Sequence, residues 1–255
     1  MMFFSSYKVF KMEQFFTNSE QIQNIIKGFN LTKTLFVSSI IIGEPNIGKK
    51  SLARYLFPNA PLVSGKNQVE VEKLLTEVDE LIITDFERLS NQESLNFDNK
   101  RIIATANYMG NQQIIDNIFA FIYTLPSLKE RPDDTDYLRN LFVKEAQSTL
   151  MIEENTISIA DIPINLSDNS KTMKKTIYTY LIKHSMNNKD IQEAIYYYIL
   201  ENLSGNNGYK EHIELYEKPL IEAGLRKYGS QLQLSQILGI NRNTLRKKIH
   251  EHRID

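Results

Sequence analysis

The chain has 255 residues, of which 42% are hydrophobic and 24% charged, and its formal net charge is −1. This length suffices for one α/β core and a second, small helical domain. The absence of cysteine excludes disulfides and thiolate metal sites, and the four histidines lack metal-ligand spacing, so no metal site is expected. No apolar run approaches a membrane span, and the apolar start, interrupted by Lys8 and Lys11, lacks a signal-cleavage site. We therefore expect a cytoplasmic protein without membrane contacts.

Residues 1–35 predict a lead-in with one helix, SEQIQNIIKGF, and residues 36–125 predict a parallel sheet with flanking helices. The β-branched run 40–42 is followed by Gly43, four residues, Gly48 and Lys49. In this P-loop spacing, backbone amides surround phosphates and the lysine neutralises them. The next position, where Ser or Thr usually binds Mg²⁺, is Lys50, and Ser51 follows one place later.

Two further buried strands are predicted downstream. VDELIITDFERL ends a strand at Asp85, an acid that would hold Mg²⁺ through water, and RIIATAN ends another at Asn107. Phe86 and Glu87 follow Asp85 directly. No catalytic residue is predicted. The predicted nucleotide-binding residues are Gly43, Gly48, Lys49, Lys50, Ser51, Asp85 and Asn107.

The middle of the chain is less informative. A helix is expected to begin after Pro132 and to extend to about residue 150. Residues 151–188 have weak periodicity and are predicted to be a connector, with one helix around 174–184. Beyond it, residues 189–203 form an amphipathic helical pattern, and a second helix is predicted over 209–227 with Pro219 inside it, where proline kinks a helix.

The C-terminal segment predicts a helix-turn-helix. Ser230 can cap a helix that runs through Leu238, Gly239 can end it, and Asn241 can cap the next helix. Between residues 226 and 253 there are seven Lys or Arg against one acid, a net charge of +6, so the remainder carries −7. Any amphipathic surface helix can be basic, but this contrast favours DNA binding. The predicted DNA-binding residues are Asn241, Arg242, Asn243, Thr244, Arg246 and Lys247.

The sequence LYEKPLIEAGLRKYGSQLQLSQILGINRNTLRKKI resembles the C-terminal domain shared by Fis and the bacterial NtrC-type enhancer-binding regulators. Four other segments, IIIGEPNIGKKSLARYLF, RIIATAN, LPSLKERPDD and ENTISIADIP, resemble parts of the AAA+, sigma-54-interacting domain of the same regulators, with Asn107 at the position of the sensor asparagine. In that domain a glutamate that acts as general base directly follows the acid aligned with Asp85, so the resemblance implies that Phe86 occupies this position, unless a one-residue gap places Glu87 there. The resemblance implies a homodimer formed through residues 189–227 and bound to double-stranded DNA. Gln233 and Ser235 depart from it, since the family usually has a basic residue and an alanine there.

Several parts of the AAA+ family are missing. Gly48 and Asp85 are only 37 positions apart, which leaves no room for the GAFTGA loop that engages sigma-54. The stretch GNQQIIDNIFAFIYT has no arginine where the family has arginine fingers, and the WPGNVREL segment cannot be located. Loss of such fingers costs about 10³- to 10⁵-fold in rate by analogy. The resemblance thus implies an eroded AAA+ domain that binds ATP, with Mg²⁺, weakly or moderately and hydrolyses it negligibly, so that the chain is not an enzyme apart from a residual ATPase activity.

These observations predict three regions: a degenerate P-loop domain over 1–150, a connector over 151–188, and a Fis-type dimerisation and DNA-binding domain over 189–255. The expected function is that of a dimeric, sequence-specific, nucleoid-associated transcriptional regulator whose P-loop domain serves either for contacts with RNA polymerase or another regulator or for nucleotide sensing. Two alternatives stay open: an active sigma-54 activator ATPase, and a Fis-like architectural protein that bends DNA with little sequence preference.

Overall fold

The computed structural model describes residues 15–32, 35–153 and 157–254. The apolar start with Lys8 and Lys11 lies outside these residues. The chain divides into two compact units, Met1–Ser185 and Met186–Asp255. In the described part of the chain, no helix has both the length and the apolar composition needed to cross a membrane.

The first unit is built on a five-stranded parallel sheet with the strand order β2-β3-β4-β1-β5. Its strands are β1 (Ser39–Ile42), β2 (Leu62–Ser64), β3 (Glu80–Thr84), β4 (Arg101–Ala106) and β5 (Phe121–Thr124). In the register, Ile41 of β1 lies opposite Thr105 of β4 and Tyr123 of β5. The predicted α/β P-loop fold class is confirmed.

Helices cover both faces of this sheet because alternate side chains of each strand point to opposite faces. Ile40 and Ile42 pack in one core with α3 and α4, whereas Ile41 packs in the other core with α1 and α2. These helices are α1 (Glu20–Leu31), α2 (Lys49–Leu56), α3 (Gln68–Glu77) and α4 (Gln112–Ile118). Burial on both faces explains why the strands are continuous apolar runs.

Two long helices complete the first unit, α5 (Pro132–Leu150) and α6 (Asn169–Ser185). Met173, Ile177 and Leu181 of α6 are fully buried and pack with Val143 and Ala146 of α5. Their spacing of four residues places them on one helix face. The segment 151–188, predicted to be a connector, therefore contains a helix longer than the expected 174–184, and this helix is packed into the first unit. Residues 154–156 lie outside the described residues.

The second unit is helical, with α7 (Asn188–Asn202), α8 (Gly208–His212), α9 (Glu214–Tyr228), α10 (Gln231–Ile237) and α11 (Arg242–Glu251). The predicted helix 209–227 is divided at Ile213 into α8 and α9. Ile221, Leu234 and Leu245, one from each of α9, α10 and α11, form the buried centre of the unit. Gly229 and Gly239 both have φ of +65°, and each follows the last turn of a helix, as the predicted stop at Gly239 requires.

Candidate nucleotide and DNA-binding sites

The loop between β1 and α2 contains two glycines whose positive φ angles other residues rarely adopt. Gly43 has φ of +156°, and a Cβ atom there would lie 2.6 Å from the carbonyl oxygen of Leu125. Gly48 has φ of +101° and directly precedes the first residue of α2. The loop amides therefore meet the start of a helix, the arrangement in which a P-loop holds phosphates.

Lys49 lies at the centre of this site. Its ammonium donates to the carbonyl oxygens of Gly43 (2.7 Å) and Glu44 (2.6 Å) and to Oδ1 of Asn107 (3.1 Å). Burial lowers the pKa of Lys49 to about 8, while the nearby carboxylates, Glu87 most of all, oppose this shift. The predicted residues Gly43, Gly48, Lys49 and Asn107 are thus brought together.

Glu87 also belongs to this cluster. Nδ2 of Asn107 donates to its Oε1 at 2.7 Å, and its Oε2 is buried without a hydrogen-bond partner among the described residues. A carboxylate oxygen in this state can accept a bond from water or bind a cation. Glu87 is absent from the predicted set of site residues. The sequence signal for Glu87 was the alternative alignment in which a one-residue gap after Asp85 places this glutamate at the general-base position.

Asp85 adopts a left-handed conformation with φ of +53°. Its Oδ2 accepts a hydrogen bond from Ser64 at 3.0 Å and lies 3.8 Å from the ammonium of Lys66. Phe86, the residue between the two acids, is fully buried and packs edge-on against Phe119. Since the aromatic ring faces the core, the chain leaves β3 with Asp85 directed to β2 and Glu87 directed to Asn107.

The first turn of α6 packs against the P-loop. Asn169, which is buried, donates to Oε2 of Glu44 (2.9 Å) and to the carbonyl oxygen of Pro45 (3.1 Å). Oγ of Ser170 donates to the carbonyl oxygen of Asn46 at 2.6 Å. The loop conformation is thus held by side chains from a segment that the sequence did not connect with the site.

A cavity of about 240 Å³ lies beside Gly48. Aromatic side chains from the segment before α1 and from α5 form much of its wall. Ser51 lines the cavity and Lys50 does not, although both residues are exposed. The lining residues are Phe15, Phe16, Asn46, Ile47, Gly48, Ser51, Arg131, Asp134, Tyr137, Leu138, Leu141, Phe142 and Ser170. Residues 15–32, 35–153 and 157–254 contain no group of three or more His, Asp or Glu arranged to hold a metal ion.

The second candidate site is the outer face of α11. Leu245 is fully buried, whereas all six predicted DNA-binding residues are exposed. Asn241 caps the helix as predicted, because its Oδ1 accepts the backbone N–H of Asn243 at 2.8 Å. The arrangement presents polar and basic side chains at the start of a helix that is anchored from behind.

The basic charge of this segment is not all displayed. Lys248 donates to Oε1 of Glu217, and Nε2 of His252 lies 3.0 Å from Oε2 of the same carboxylate. Of the two departures from the family pattern, Ser235 is buried and its Oγ donates to the carbonyl oxygen of Leu232 at 2.8 Å. With its hydroxyl satisfied inside α10, Ser235 packs as a small residue, much as an alanine would.

Residues 212–252 match the family model described as "Bacterial regulatory protein, Fis family". None of the curated proteins compared with the chain matches it. Among solved structures, NtrX from Brucella abortus in complex with ATP is 14% identical with a TM-score of 0.54, covering 94% of this chain and 69% of NtrX. The complex of the same protein with ADP is 14% identical with a TM-score of 0.53, covering 94% and 70%.

At this identity, the NtrX structures establish similarity of fold. The family model shows that residues 212–252 of the C-terminal unit are a Fis-family regulatory domain. The chain thus carries, over residues 212–252, a helix-turn-helix of the Fis family of regulatory proteins, and its first unit has the P-loop fold seen in NtrX.

Proposed function

We propose that this regulator is a dimer that binds specific DNA sequences and that its P-loop domain binds ATP with negligible hydrolysis. The observation that carries the DNA-binding proposal is the division of α11 into two faces. Leu245 is buried on one face, and the other face exposes Arg242, Arg246 and Lys247. The exposed face contributes little to the core, so it is free to contact a ligand.

The residues of this face have distinct roles in the proposal. Arg242 and Asn243, in the first turn, would meet base edges in the major groove, since the start of a recognition helix reaches deepest. Arg246 and Lys247 would contact phosphates. Asn241 and Thr244 lie where the free amides of the helix start can bind a backbone phosphate.

The dimer proposal rests on α7. Within this helix, all of whose residues are described, no side chain is buried, although Ile191, Tyr198 and Leu200 are large and apolar. Leu215 and Leu220 of α9 are also exposed. A second copy that packs on residues 189–227 would bury these side chains and place two recognition helices about 34 Å apart, one turn of DNA.

The experiment is selection of binding sequences from a random duplex pool by the full-length protein, followed by titration on the selected and a scrambled duplex. We expect an enriched sequence with two-fold symmetry. If each copy neutralises three phosphates, log K should fall with log salt at a slope of about −5. Failure to enrich any sequence, with tight binding to all duplexes, would replace this proposal by the architectural alternative.

Two substitutions sharpen the test. Arg242→Ala should weaken binding to the selected duplex by about 1 to 3 kcal/mol and relax the sequence preference, because a base contact is lost. Lys247→Ala should weaken binding to both duplexes alike. Equal losses on both duplexes for both variants would contradict the role given to Arg242.

The nucleotide proposal is supported by the fit of the loop. Gly43 lets the loop pass close to Leu125, where a Cβ would lie 2.6 Å from the carbonyl oxygen, Lys49 supplies a cation, and the cavity beside Gly48 has aromatic walls. The NtrX structures with ATP and with ADP support the same ligand. Glu87 and Asp85 would hold Mg²⁺ through water in this proposal, and the ion would supply charge neutralisation for the phosphates.

A second candidate function, ATP hydrolysis, is favoured by the unpaired oxygen of Glu87 beside Asn107. ATP binding and turnover by the full-length protein separate the two. We expect binding that Lys49→Ala abolishes, and no measurable turnover. An ATP turnover rate of about one per second, abolished by both Lys49→Ala and Glu87→Gln, would establish ATP hydrolysis instead. Absence of any nucleotide binding would remove the proposal.

A further inference from the structure

Glu217 of α9 binds two basic residues, Lys248 of the recognition helix α11 and His252 at the C-terminal cap of that helix. One carboxylate oxygen accepts a hydrogen bond from the ammonium of Lys248, and the other lies 3.0 Å from Nε2 of His252. The Glu217 and His252 side chains are only 22% and 10% exposed. The hydrogen bond from Lys248, followed by that from His252, holds the pKa of Glu217 below its usual value, so the carboxylate is charged at neutral pH.

The neighbouring lysine has a different environment. The Lys247 side chain is 77% exposed, and its ammonium lies 3.7 Å from Glu251 of the same helix. Consecutive residues of a helix are about 100° apart around its axis, so Lys247 and Lys248 face different directions. One lysine is free to approach DNA, and the other is turned toward α9 and neutralised there. The two neighbouring lysines of α11 therefore differ: Lys247 is exposed, and Lys248 is paired with a carboxylate of the same unit.

We propose that Glu217 is a specificity-determining and positioning residue for DNA binding, which rests on the DNA-binding role proposed above for α11. By holding Lys248 and His252 against α9, it fixes the rotation of α11 about its own axis. It also withholds one lysine from the phosphate backbone. Phosphate contacts add affinity for every sequence alike, whereas base contacts distinguish sequences. Withholding a lysine therefore lowers binding to every sequence, whereas the fixed rotation of α11 keeps the base contacts in place and so strengthens binding to the selected sequence only.

The test uses Glu217→Gln in the full-length protein, titrated at several salt concentrations on the selected and the scrambled duplex. Glutamine keeps the shape and an acceptor but removes the charge that holds Lys248. We expect affinity for the scrambled duplex to rise and affinity for the selected duplex to fall, so that their ratio drops about tenfold. For the scrambled duplex, the salt slope should steepen by about 0.9 per copy, the contribution of one added phosphate contact.

Glu251→Gln is the matched control, because it removes the same charge from a carboxylate that pairs with an already exposed lysine. It should raise both affinities in parallel and leave their ratio unchanged. If Glu217→Gln instead lowers both affinities equally with no change in slope, the carboxylate is only a structural clamp and the proposal is overturned. If the unmodified protein shows no sequence preference, the proposed function fails before the variants are compared.

A second pair of variants keeps the test decisive if Glu217→Gln does not fold. Lys247→Gln should reduce the salt slope by about 0.9 per copy, whereas Lys248→Gln should leave it unchanged. Equal reductions by both variants would show that Lys248 contacts DNA and would overturn the proposal. In a folded double variant, Lys248→Gln should also cancel the steeper slope that Glu217→Gln produces.

Discussion

Arg131 and Asp134 form an ion pair with 3.1 Å between Nη1 and Oδ2, and each side chain is only 3% exposed. Other polar atoms of both side chains also form hydrogen bonds. Nη2 of Arg131 donates to the carbonyl oxygen of Ile47 in the P-loop at 2.6 Å, and Oδ1 of Asp134 accepts the backbone N–H of Asn18 at 2.8 Å. The pair thus links the P-loop, the start of α5 and the segment before α1.

Removal of one partner should therefore be costly. We expect Asp134→Ala to destabilise the first unit by about 3 to 5 kcal/mol, since it leaves the buried guanidinium without its counter-charge. Hydrogen exchange of the strand amides in the full-length protein would measure this. Asp133→Ala is the control, because Asp133 is exposed on the same helical turn. Equal exchange in the two variants would contradict the importance of the pair.

Gly65 lies against Asp85, the residue that directly follows β3. A Cβ atom at Gly65 would be 2.4 Å from the carbonyl oxygen of Asp85, a backbone atom that cannot turn aside. We expect Gly65→Ala to cost about 1 to 3 kcal/mol by overpacking and to weaken nucleotide binding, because Asp85 and Glu87 must shift. Gly110→Ala is the control, with no described atom within 4 Å of the new methyl group. Unaltered thermal unfolding of Gly65→Ala would refute this expectation.

Leu245→Ala should unfold or loosen the helix-turn-helix. Leu245 is fully buried between Ile221 and Leu234, so its truncation leaves a cavity and costs about 2 to 5 kcal/mol. DNA binding should be lost with the fold. Leu232→Ala, which shortens a leucine that is 53% exposed, should change stability by less than about 0.5 kcal/mol. Denaturant unfolding of both variants, followed by circular dichroism, provides the comparison.

Nucleotide binding should depend on pH through Lys49. Its pKa is about 8 in the free protein, and bound phosphate would raise it by adding negative charge. Affinity should be constant well below pH 8 and should fall as the pH rises above 8, because binding then requires uptake of a proton. Titration of a fluorescent ATP analogue between pH 6 and 9.5, an interval chosen to span this pKa, checks the sign. A flat profile would show that the Lys49 charge does not contribute.

The sequence was sufficient for the fold where local and global signals agreed. The strand at 40–42 and the helix cap at Asn241 were predictable, because continuous apolar runs and capping side chains act locally. The packing of α6 was not. Its stripe of Met173, Ile177 and Leu181 follows an irregular segment, and only the contact with α5 shows which surface it covers.

The P-loop site shows the same division. Glycines and a lysine at fixed spacing predicted the centre of the site because the backbone itself forms it. Glu87 was missed because the expected position of the second acid, directly after Asp85, holds Phe86. Asp85 has a left-handed backbone and Phe86 is buried, and this conformation directs the Glu87 side chain to the site. Likewise, the bond from Lys248 to Glu217 joins residues 31 positions apart, so charge counting along the chain overestimates the exposed positive charge.

The burial of Leu245 has a consequence for how the binding preference of this protein can change. Stability is set by the inner side of a ten-residue helix, and recognition in our proposal is set by its outer side. Apart from the cap at Asn241, the predicted contact residues can be exchanged at little cost to folding. New target sequences are therefore accessible through single substitutions, both to natural variation and to deliberate redesign, without rebuilding the domain that presents them.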